Sequence, residues 1–396
     1  MPGASRTTTT KVLQSIAPLV KGQAWYRNDK RSPIASGLGS ILVTIFVSFK
    51  VTAPSSLSAA LIAMVVLVTS VHAQEPPPVP HPRPLRDLRI ITFGGASNLP
   101  IWAAQRQGYF ADEGLEVRLT FTPNSAYQMT QLLAGNFDIA MTAIDNVVAY
   151  QEGQNEAPIA PDPDLFVFAG TDNSFLSLVS QAPLKDVRSL RGRTLTVDAM
   201  TTGYAFVLRD ILERHQIAAG EVTFVRAGGT PQRLQDMLAD PQHAATIQGT
   251  PFEFIGELKG LNTLLRVADE LGPYQGFVAT AKRSWASAHD RDVVGYVRAL
   301  VRGIDWLYQP ENRPIVEALL IADVPGMSPG IAAKTYDVVL ASSGGFFRGA
   351  KPDIEGVRRV LALRSRYGIP QRELTDPMKY IDLSYLARAA EPAKNP

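Results

Sequence analysis

Cysteine is absent from the 396-residue chain. Its absence excludes disulfides, thiolate metal sites, cysteine nucleophiles and attachment of a lipid to an N-terminal cysteine. Histidine is also rare, and the five histidines lack the spacing of metal ligands. They are His72, His81, His215, His243 and His289. We therefore expect neither a metal site nor a cofactor.

Charged residues are few, and the chain distributes them unevenly. They make up 19% of the sequence, against 45% hydrophobic residues, which is an ordinary balance for a folded globular protein. Residues 1–73 carry a net charge of +6, which leaves −4 for the rest of the chain. A mildly acidic body lacks the basic surface that nucleic-acid binding requires. We therefore exclude nucleic acid as a partner.

One segment matches the sequence pattern of a catalytic motif but lacks a group that the motif requires. Residues 326–330 read GMSPG, which matches the Gly-x-Ser-x-Gly turn of serine hydrolases. In that turn the residue after the serine donates its backbone N–H to the oxyanion hole, but Pro329 has no N–H. Ser328 as the N-cap of a helix, with Pro329 as its first residue, explains the same letters. We predict no catalytic residue, and hence a protein that is not an enzyme.

The N-terminal region has the features of an export signal. Residues 57–71 (LSAALIAMVVLVTSV) are apolar and uncharged, and Val71 and Ala73 are small residues placed for cleavage after Ala73. The apolar run is shorter than the roughly 20 residues that span a bilayer. We predict a leader and signal peptide over 1–73 and an extended Pro-rich spacer over 74–87, on a periplasmic protein that is not a lipoprotein. A retained membrane anchor, helped by the apolar residues 37–49, is the alternative.

From residue 88 onward, short β-type runs alternate with helical patterns, as in α/β proteins with parallel strands. Ser125 with Gln128 three residues later predicts a capping-box helix start, and His215 suits the end of a helix that begins at Gly203. Beyond Pro273 the pattern is mainly helical. The predicted strands are 88–93, 116–121, 137–140, 194–197 and 222–226, and the predicted helices include 100–107, 203–215 and 231–238.

Several long segments resemble one family of proteins. The segments are ITFGGASNLPIWAAQRQGYFADEGLEVRLT, LLAGNFDIAMTAIDNVVAY, LRGRTLTVDAMTTGYAFVLRDILERH, FVRAGGTPQRLQDML, GTPFEF and LGPYQGFVAT. They resemble the solute-binding proteins of ABC importers for sulfonates, nitrate, taurine and pyrimidine precursors of thiamine. The similarity extends over about residues 88–385, and its most specific part runs from Asn98 to Asp145.

The resemblance implies an α/β fold of the type II periplasmic binding protein class, with two lobes, a hinge and an interlobe cleft. It places the crossovers near 170–177 and 273–280. Residues 88–176 would form the first part of lobe 1, and residues 177–272 would form lobe 2. Residues 273–396 would supply the second crossover, the rest of lobe 1 and the C-terminal helices. The implied function is capture of a small molecule by a monomer, for delivery to an ABC permease in the inner membrane.

Positions of the family pattern that face the cleft give the candidate ligand-binding residues. For two of them a structural role competes: Trp102 suits a core or rim aromatic, and Asp145 suits a helix cap. The candidates are Asn98, Leu99, Trp102, Thr142, Asp145, Met200, Thr201, Thr202, Tyr204, Thr250, Phe252, Tyr274 and Gln275.

The candidate set contains no Lys or Arg, although recognition of a compact anion commonly uses arginine or several converging N–H groups. Only the backbone amides at Ser125, Gly203 and Thr230 therefore remain to bind an anion. We therefore expect a heterocyclic, neutral or weakly polar ligand. Two alternatives stay open: an anion binder of the sulfonate or nitrate type, and an enzyme of the same fold, such as a lyase or an enzyme of pyrimidine-precursor chemistry. The pyrimidine-synthesising relatives carry a Cys-rich motif that this chain lacks.

Overall fold

The computed structural model describes residues 84–159 and 163–391. The predicted leader, the predicted signal peptide and the predicted spacer up to residue 83 lie outside the described residues. The first strand begins at Arg86, two residues before the predicted start of lobe 1. Within these two ranges, no helix combines the length and apolar character needed to cross a bilayer.

Strands and helices alternate through the first two thirds of the described chain, and helices dominate the remainder. The strands are β1 (Arg86–Thr92), β2 (Leu115–Phe121), β3 (Ile139–Ala143), β4 (Leu165–Gly170), β5 (Leu176–Ser180), β6 (Thr194–Val197), β7 (Thr223–Arg226), β8 (His243–Gly249), β9 (Asn262–Arg266) and β10 (Phe277–Lys282). The helices are α1 (Leu99–Arg106), α2 (Tyr109–Asp112), α3 (Ser125–Leu133), α4 (Ile144–Gln151), α5 (Gly203–Arg214), α6 (Thr230–Ala239), α7 (Phe252–Leu258), α8 (Val267–Leu271), α9 (Arg283–Ala288), α10 (Asp290–Leu307), α11 (Arg313–Asp323), α12 (Pro329–Val339), α13 (Ile354–Tyr367) and α14 (Ser384–Ala389).

The strands form two five-stranded sheets, one in each lobe. The order is β2-β1-β3-β10-β4 in the first sheet and β7-β6-β8-β5-β9 in the second. Residues of β3 and β4 are buried along their whole length, since helices cover both faces of the sheet. Strand β2 begins with alternating buried and exposed residues, which confirms the predicted strand with one wetter face.

Each sheet is mixed, so the expectation of parallel strands throughout is wrong for one strand per sheet. β10 runs antiparallel to β3 and β4, and β5 runs antiparallel to β8 and β9. Both strands enter their sheet directly from the other lobe, without the helical connection that a parallel neighbour requires. Beyond Pro273 the described chain is mainly helical, as predicted, and β10 is the strand that the prediction did not include.

Local signals placed several elements correctly. Strand β6 matches the predicted residues 194–197, and His215 ends α5 as its C-cap. The Ser328 hydroxyl accepts a bond from the Ile331 N–H and Pro329 is the first residue of α12, which confirms the helix-cap interpretation of GMSPG. The capping box at Ser125 is wrong by one residue. Asn124 is the N-cap of α3, and its side chain accepts from the Tyr127 N–H at 2.7 Å.

Two short crossovers, residues 171–175 and 272–276, carry the chain between the lobes. They are bonded to each other, since the Gly276 N–H donates to the Asp172 carbonyl at 2.9 Å. The Thr171 N–H of the first crossover also donates to the Phe277 carbonyl, at the start of β10, at 2.9 Å. Ser174 and Phe175 have φ values of 64° and 47°. Non-glycine residues rarely occupy this left-handed region, so the first crossover holds a strained turn between the two sheets.

Candidate functional site

A cavity lies between the lobes, at the edge where the carboxyl ends of the parallel strands meet. Ligands of open α/β folds bind at this edge. The cavity has a volume of about 50 Å³ and is partly open to solvent. Its lining consists of Phe93, Gly94, Gly95, Ser97, Ala143, Asp145, Asn146, Ser174, Asp198, Thr202, Gly203, Tyr204, Thr230, Arg233, Gly249, Thr250, Phe252 and Phe277.

The structure brings five of the thirteen sequence-predicted site residues together in this lining. Each follows the end of a strand: Asp145 follows β3, Thr202 and Tyr204 follow β6, and Thr250 and Phe252 follow β8. These are positions that the rule for open α/β sheets selects.

Four further candidates, in lobe 1, lie outside the lining because their side chains build the lobe. The Asn98 amide donates to the carbonyls of Phe93 and Gly95, which fixes the loop after β1. The Thr142 hydroxyl accepts from Asn146 at 2.8 Å. Leu99 and Trp102 belong to the hydrophobic core, as the competing interpretation of Trp102 held.

The remaining four candidates also lie outside the lining. Met200 packs at the edge of a hydrophobic core, and the Thr201 carbonyl accepts a bond from an arginine of lobe 1. Tyr274 lines a different cleft. The Gln275 side chain is fully buried and donates to the carbonyls of Asp172 and Phe277, so it ties the crossovers together.

The most polar feature of the site is a buried ion pair whose contacts reach across the lobes. Arg364 of α13 donates to both carboxylate oxygens of Asp145, at 2.6 and 2.8 Å, and the Arg364 side chain is 0% exposed. The Gly203 N–H, at the start of α5 in lobe 2, donates to the same carboxylate at 2.5 Å. Arg364 also donates to the Thr201 carbonyl of lobe 2 at 2.7 Å. Asp145 therefore caps a helix of the opposite lobe.

A second carboxylate repeats this arrangement in the opposite direction. Asp198 of lobe 2 accepts from the Ser125 N–H, at the start of α3 in lobe 1, at 3.1 Å. Burial raises the pKa of Asp198, and the nearby guanidinium of Arg233 opposes that rise. Other direct interlobe bonds run from the Gly229 N–H to the Pro123 carbonyl and from the Ala96 N–H to the Thr250 carbonyl. The lobes are thus in contact around the cavity.

Sequence reasoning missed Arg233, which lines the cavity and is 2% exposed. Its guanidinium donates to the carbonyls of Gly228 and Ile247 and to the Thr230 hydroxyl. Burial lowers its pKa, and Asp198 counteracts that effect. Its position in the first turn of α6, directly after the Gly228-Gly229 loop, was the feature of the sequence that could have placed it at the cavity.

Aromatic side chains form the apolar part of the lining. Phe93 and Phe277 meet edge to face with ring centroids 6.5 Å apart, and Phe252 and Tyr204 come from lobe 2. Burial raises the pKa of the Tyr204 hydroxyl, which is therefore neutral. The buried Ser174 hydroxyl also belongs to the lining and lies beside the Tyr204 hydroxyl. The site combines flat apolar walls with a few polar groups, as small-molecule pockets do.

The crossover behind the cavity contains a buried acid. Asp172 is fully buried and accepts from the Ser174 N–H at 2.6 Å and from the Phe277 N–H at 3.4 Å, so it bonds to the first crossover and to the start of β10. Burial raises its pKa to about 6, against several hydrogen bonds that lower it. In the part of the chain that the structure describes, no cluster of three or more His, Asp or Glu could hold a metal ion.

The sequence model of the family described as NMT1/THI5 like matches residues 96–313, more than half of the chain. The chain belongs to the NMT1/THI5-like family. A relative by sequence is YtlA, a candidate binding protein of Bacillus subtilis (strain 168), which is 24% identical over 237 residues. That match covers 56% of this chain and 65% of YtlA, just under two thirds of the relative's length.

Solved structures of binding proteins share the fold. The periplasmic nitrate-binding protein NrtA from Synechocystis PCC 6803 superposes with a TM-score of 0.63 at 12% identity, over 77% of this chain and 88% of NrtA. The alkanesulfonate-binding protein SsuA from Xanthomonas axonopodis pv. citri, bound to MOPS, gives 0.58 at 16% identity, over 76% of this chain and 97% of SsuA. These similarities confirm the predicted two-lobed α/β fold.

The desulfurization enzyme DSZB has the same fold, with a TM-score of 0.56 at 13% identity, over 77% of this chain and 99% of DSZB. The fold therefore occurs in binding proteins and in an enzyme, and it does not by itself exclude catalysis.

Proposed function

We propose that this chain is a solute-binding protein that captures a small organic molecule between its lobes and delivers it, as a monomer, to the permease of an ABC importer. Membership of the NMT1/THI5-like family and the fold of nitrate- and sulfonate-binding proteins support this role. The observation that carries the proposal is the interlobe cavity, to which both lobes contribute aromatic walls and polar groups.

The charges around the cavity favour a neutral ligand. Arg364 neutralises Asp145, and Arg233 lies close enough to Asp198 to affect its pKa. The amides of Ser125 and Gly203, which could hold an anion, already donate to these two carboxylates. The aromatic walls suit a flat ring, and Asp198 and Ser174 offer it hydrogen bonds. We therefore favour a neutral or weakly polar heterocycle.

Mass spectrometry of small molecules that copurify from the native host, followed by calorimetric titration of each, tests this function. A heterocycle bound at one molecule per chain and recovered unchanged supports it. Tight binding of sulfonates or nitrate with no binding of heterocycles would contradict the ligand class. Conversion of the ligand over many turnovers would contradict a binding role and favour an enzyme.

We predict that Asp198→Asn weakens binding of the copurified ligand by about tenfold or more, because a bond to a charged acceptor contributes about 1.5–3 kcal/mol. The matched control is Asp269→Asn, which removes a carboxylate from an exposed residue of the other cleft. Calorimetric titration of the two variants and of the unmodified chain measures the difference. Equal affinities for all three would exclude Asp198 from the ligand site.

We further propose that the protein is exported to the periplasm and cleaved after Ala73. The apolar run at 57–71 and the small residues Val71 and Ala73 support cleavage. The expected result is a mature protein that begins at Gln74 when N-terminal sequencing is applied to the periplasmic fraction. A chain that keeps residues 57–71 and sediments with the membranes would favour the retained anchor.

A further inference from the structure

We propose that Asp145 determines specificity by acting as a built-in anion: its carboxylate fills, from inside the protein, a site that would otherwise bind an anionic group of a solute. The consequence for ligand choice rests on the proposed function, since it explains why a cavity of this shape would reject small anions. The site itself is argued from contacts of Asp145, Arg364 and Gly203 alone.

The donors around the Asp145 carboxylate are those of an anion site. The Arg364 guanidinium contributes two parallel bonds, at 2.6 and 2.8 Å, in the fork geometry with which arginine binds carboxylates and related anions. The Gly203 N–H adds a third bond at the start of the twelve-residue helix α5, where the helix dipole favours negative charge. Since Arg364 is 0% exposed, it depends on a negative partner inside the fold.

This site is continuous with the cavity. Asp145 and Gly203 both belong to the cavity lining, and Arg364 lies directly behind the Asp145 carboxylate. A Cβ atom at position 203 would collide with the Asp145 side chain, so the carboxylate lies directly against the first residue of α5. No solute anion can reach Gly203 and Arg364 unless the Asp145 side chain leaves.

A free anion competes poorly with the Asp145 carboxylate for these donors, because the carboxylate is covalently attached to the protein. The Asp145 carboxylate is held beside its donors by the backbone of α4, so its local concentration greatly exceeds that of any free anion. Removing it should therefore raise the affinity of the site for a small anion on the order of 100-fold. The neighbouring pair, Asp198 with the Ser125 N–H, removes a second helix start from solutes in the same way.

The test is anion binding by Asp145→Ala, probed with formate, nitrate and methanesulfonate and read as the midpoint of thermal unfolding. Each anion that fits should raise the midpoint of the variant saturably, because it binds only the folded state. The unmodified chain and Asp145→Asn, which keeps the volume without the charge, should not respond beyond their response to chloride. A similar saturable response of the unmodified chain, or none from a folded Asp145→Ala, would overturn the proposal.

Asp145→Ala leaves Arg364 without its ionic partner and can fail to fold. In that case recovery of the fold by formate supports the proposal. If formate fails, Asp145→Ser is titrated with the same anions, and a folded variant without a response contradicts the proposal. The double variant Asp145→Ala with Arg364→Met must lose the response, since no guanidinium remains. Titration of the unmodified chain with the copurified heterocycle tests the proposed function separately, because it requires no anion to bind.

Discussion

Arg364→Met should lower the free energy of unfolding by about 3–5 kcal/mol, because it leaves the buried carboxylate of Asp145 without its ionic partner. The substitution removes both bonds to Asp145, the bond to the Thr201 carbonyl and the bond to Gln154. It also removes the guanidinium from the ring of Phe206, whose centroid lies 5.1 Å away. Denaturant unfolding followed by tryptophan fluorescence measures the loss.

A matched control lies on the same helix. Arg358 of α13 pairs with Glu355, but its side chain is 54% exposed, so Arg358→Met should cost less than about 1 kcal/mol. The double variant Asp145→Leu with Arg364→Met should lose less stability than Arg364→Met alone, since no buried charge remains unpaired. Equal, small losses for Arg364→Met and Arg358→Met would show that the buried pair does not hold the fold together.

The buried pair also shows the limit of reasoning from sequence. Asp145 stood out because it follows a buried strand in a segment typical of the family. Arg364 lies 219 positions further along the chain, on the exposed-looking repeat of arginines in α13. No periodicity or spacing connects two residues across such a distance. Only the packing of α13 against α4 and α5 decides which arginine of that helix enters the core.

Helix starts with strong local signals could be predicted, because a helix cap depends only on residues that are neighbours in the sequence. Ser328 followed by Pro329 fixes a helix start within a few residues, and the structure places α12 there. At α3 two good caps, Asn124 and Ser125, stand side by side, so local chemistry could not choose between them. The contact of the Ser125 N–H with Asp198 of the other lobe involves a residue far away in the sequence.

The residues of the cavity likewise include some that local sequence could predict and some that it could not. The strand-end rule located Asp145, Tyr204 and Phe252 because position after a strand is a local property. It could not tell which polar side chains near the strand ends face inward to bond the backbone. Gln275 and Asn98 do so, and their side-chain amides donate hydrogen bonds to neighbouring backbone carbonyls. Arg233 was missed because the long side chain of a residue inside α6 returns to the start of its own helix.

Glu253→Gln should make the protein more stable at high pH and leave it nearly unchanged at low pH. Glu253 of α7 is 3% exposed, and its carboxyl group accepts a bond from the Thr250 hydroxyl. Burial raises its pKa to about 7, although the Thr250 bond, a bond from its own backbone N–H and the charge of Arg266 lower it. In an unfolded chain the pKa of glutamate is about 4.3.

The sign of the effect follows from these two pKa values. Between pH 4.3 and 7, approximately, the folded protein retains a proton that the unfolded chain has released. The stabilisation from this proton is therefore complete below the lower pKa and disappears as the pH rises through about 7. For a group buried this deeply the difference amounts to about 3 kcal/mol between pH 5 and pH 8.5. Asp172, whose pKa is raised to about 6, adds a loss of the same sign that Glu253→Gln leaves in place.

Denaturant unfolding at pH 5 and pH 8.5 measures the effect as a difference between two pH values, so any constant cost of the new amide cancels. The gain of Glu253→Gln over the unmodified chain should increase by about 3 kcal/mol between these values. Glu257→Gln, on the exposed side of the same helix, should change the pH profile far less, although the charge of Glu257 contributes to the raised pKa of Glu253. If both variants keep the slope of the unmodified chain, Glu253 is ionised in the fold at neutral pH. The bonds and charges that lower its pKa would then outweigh its burial.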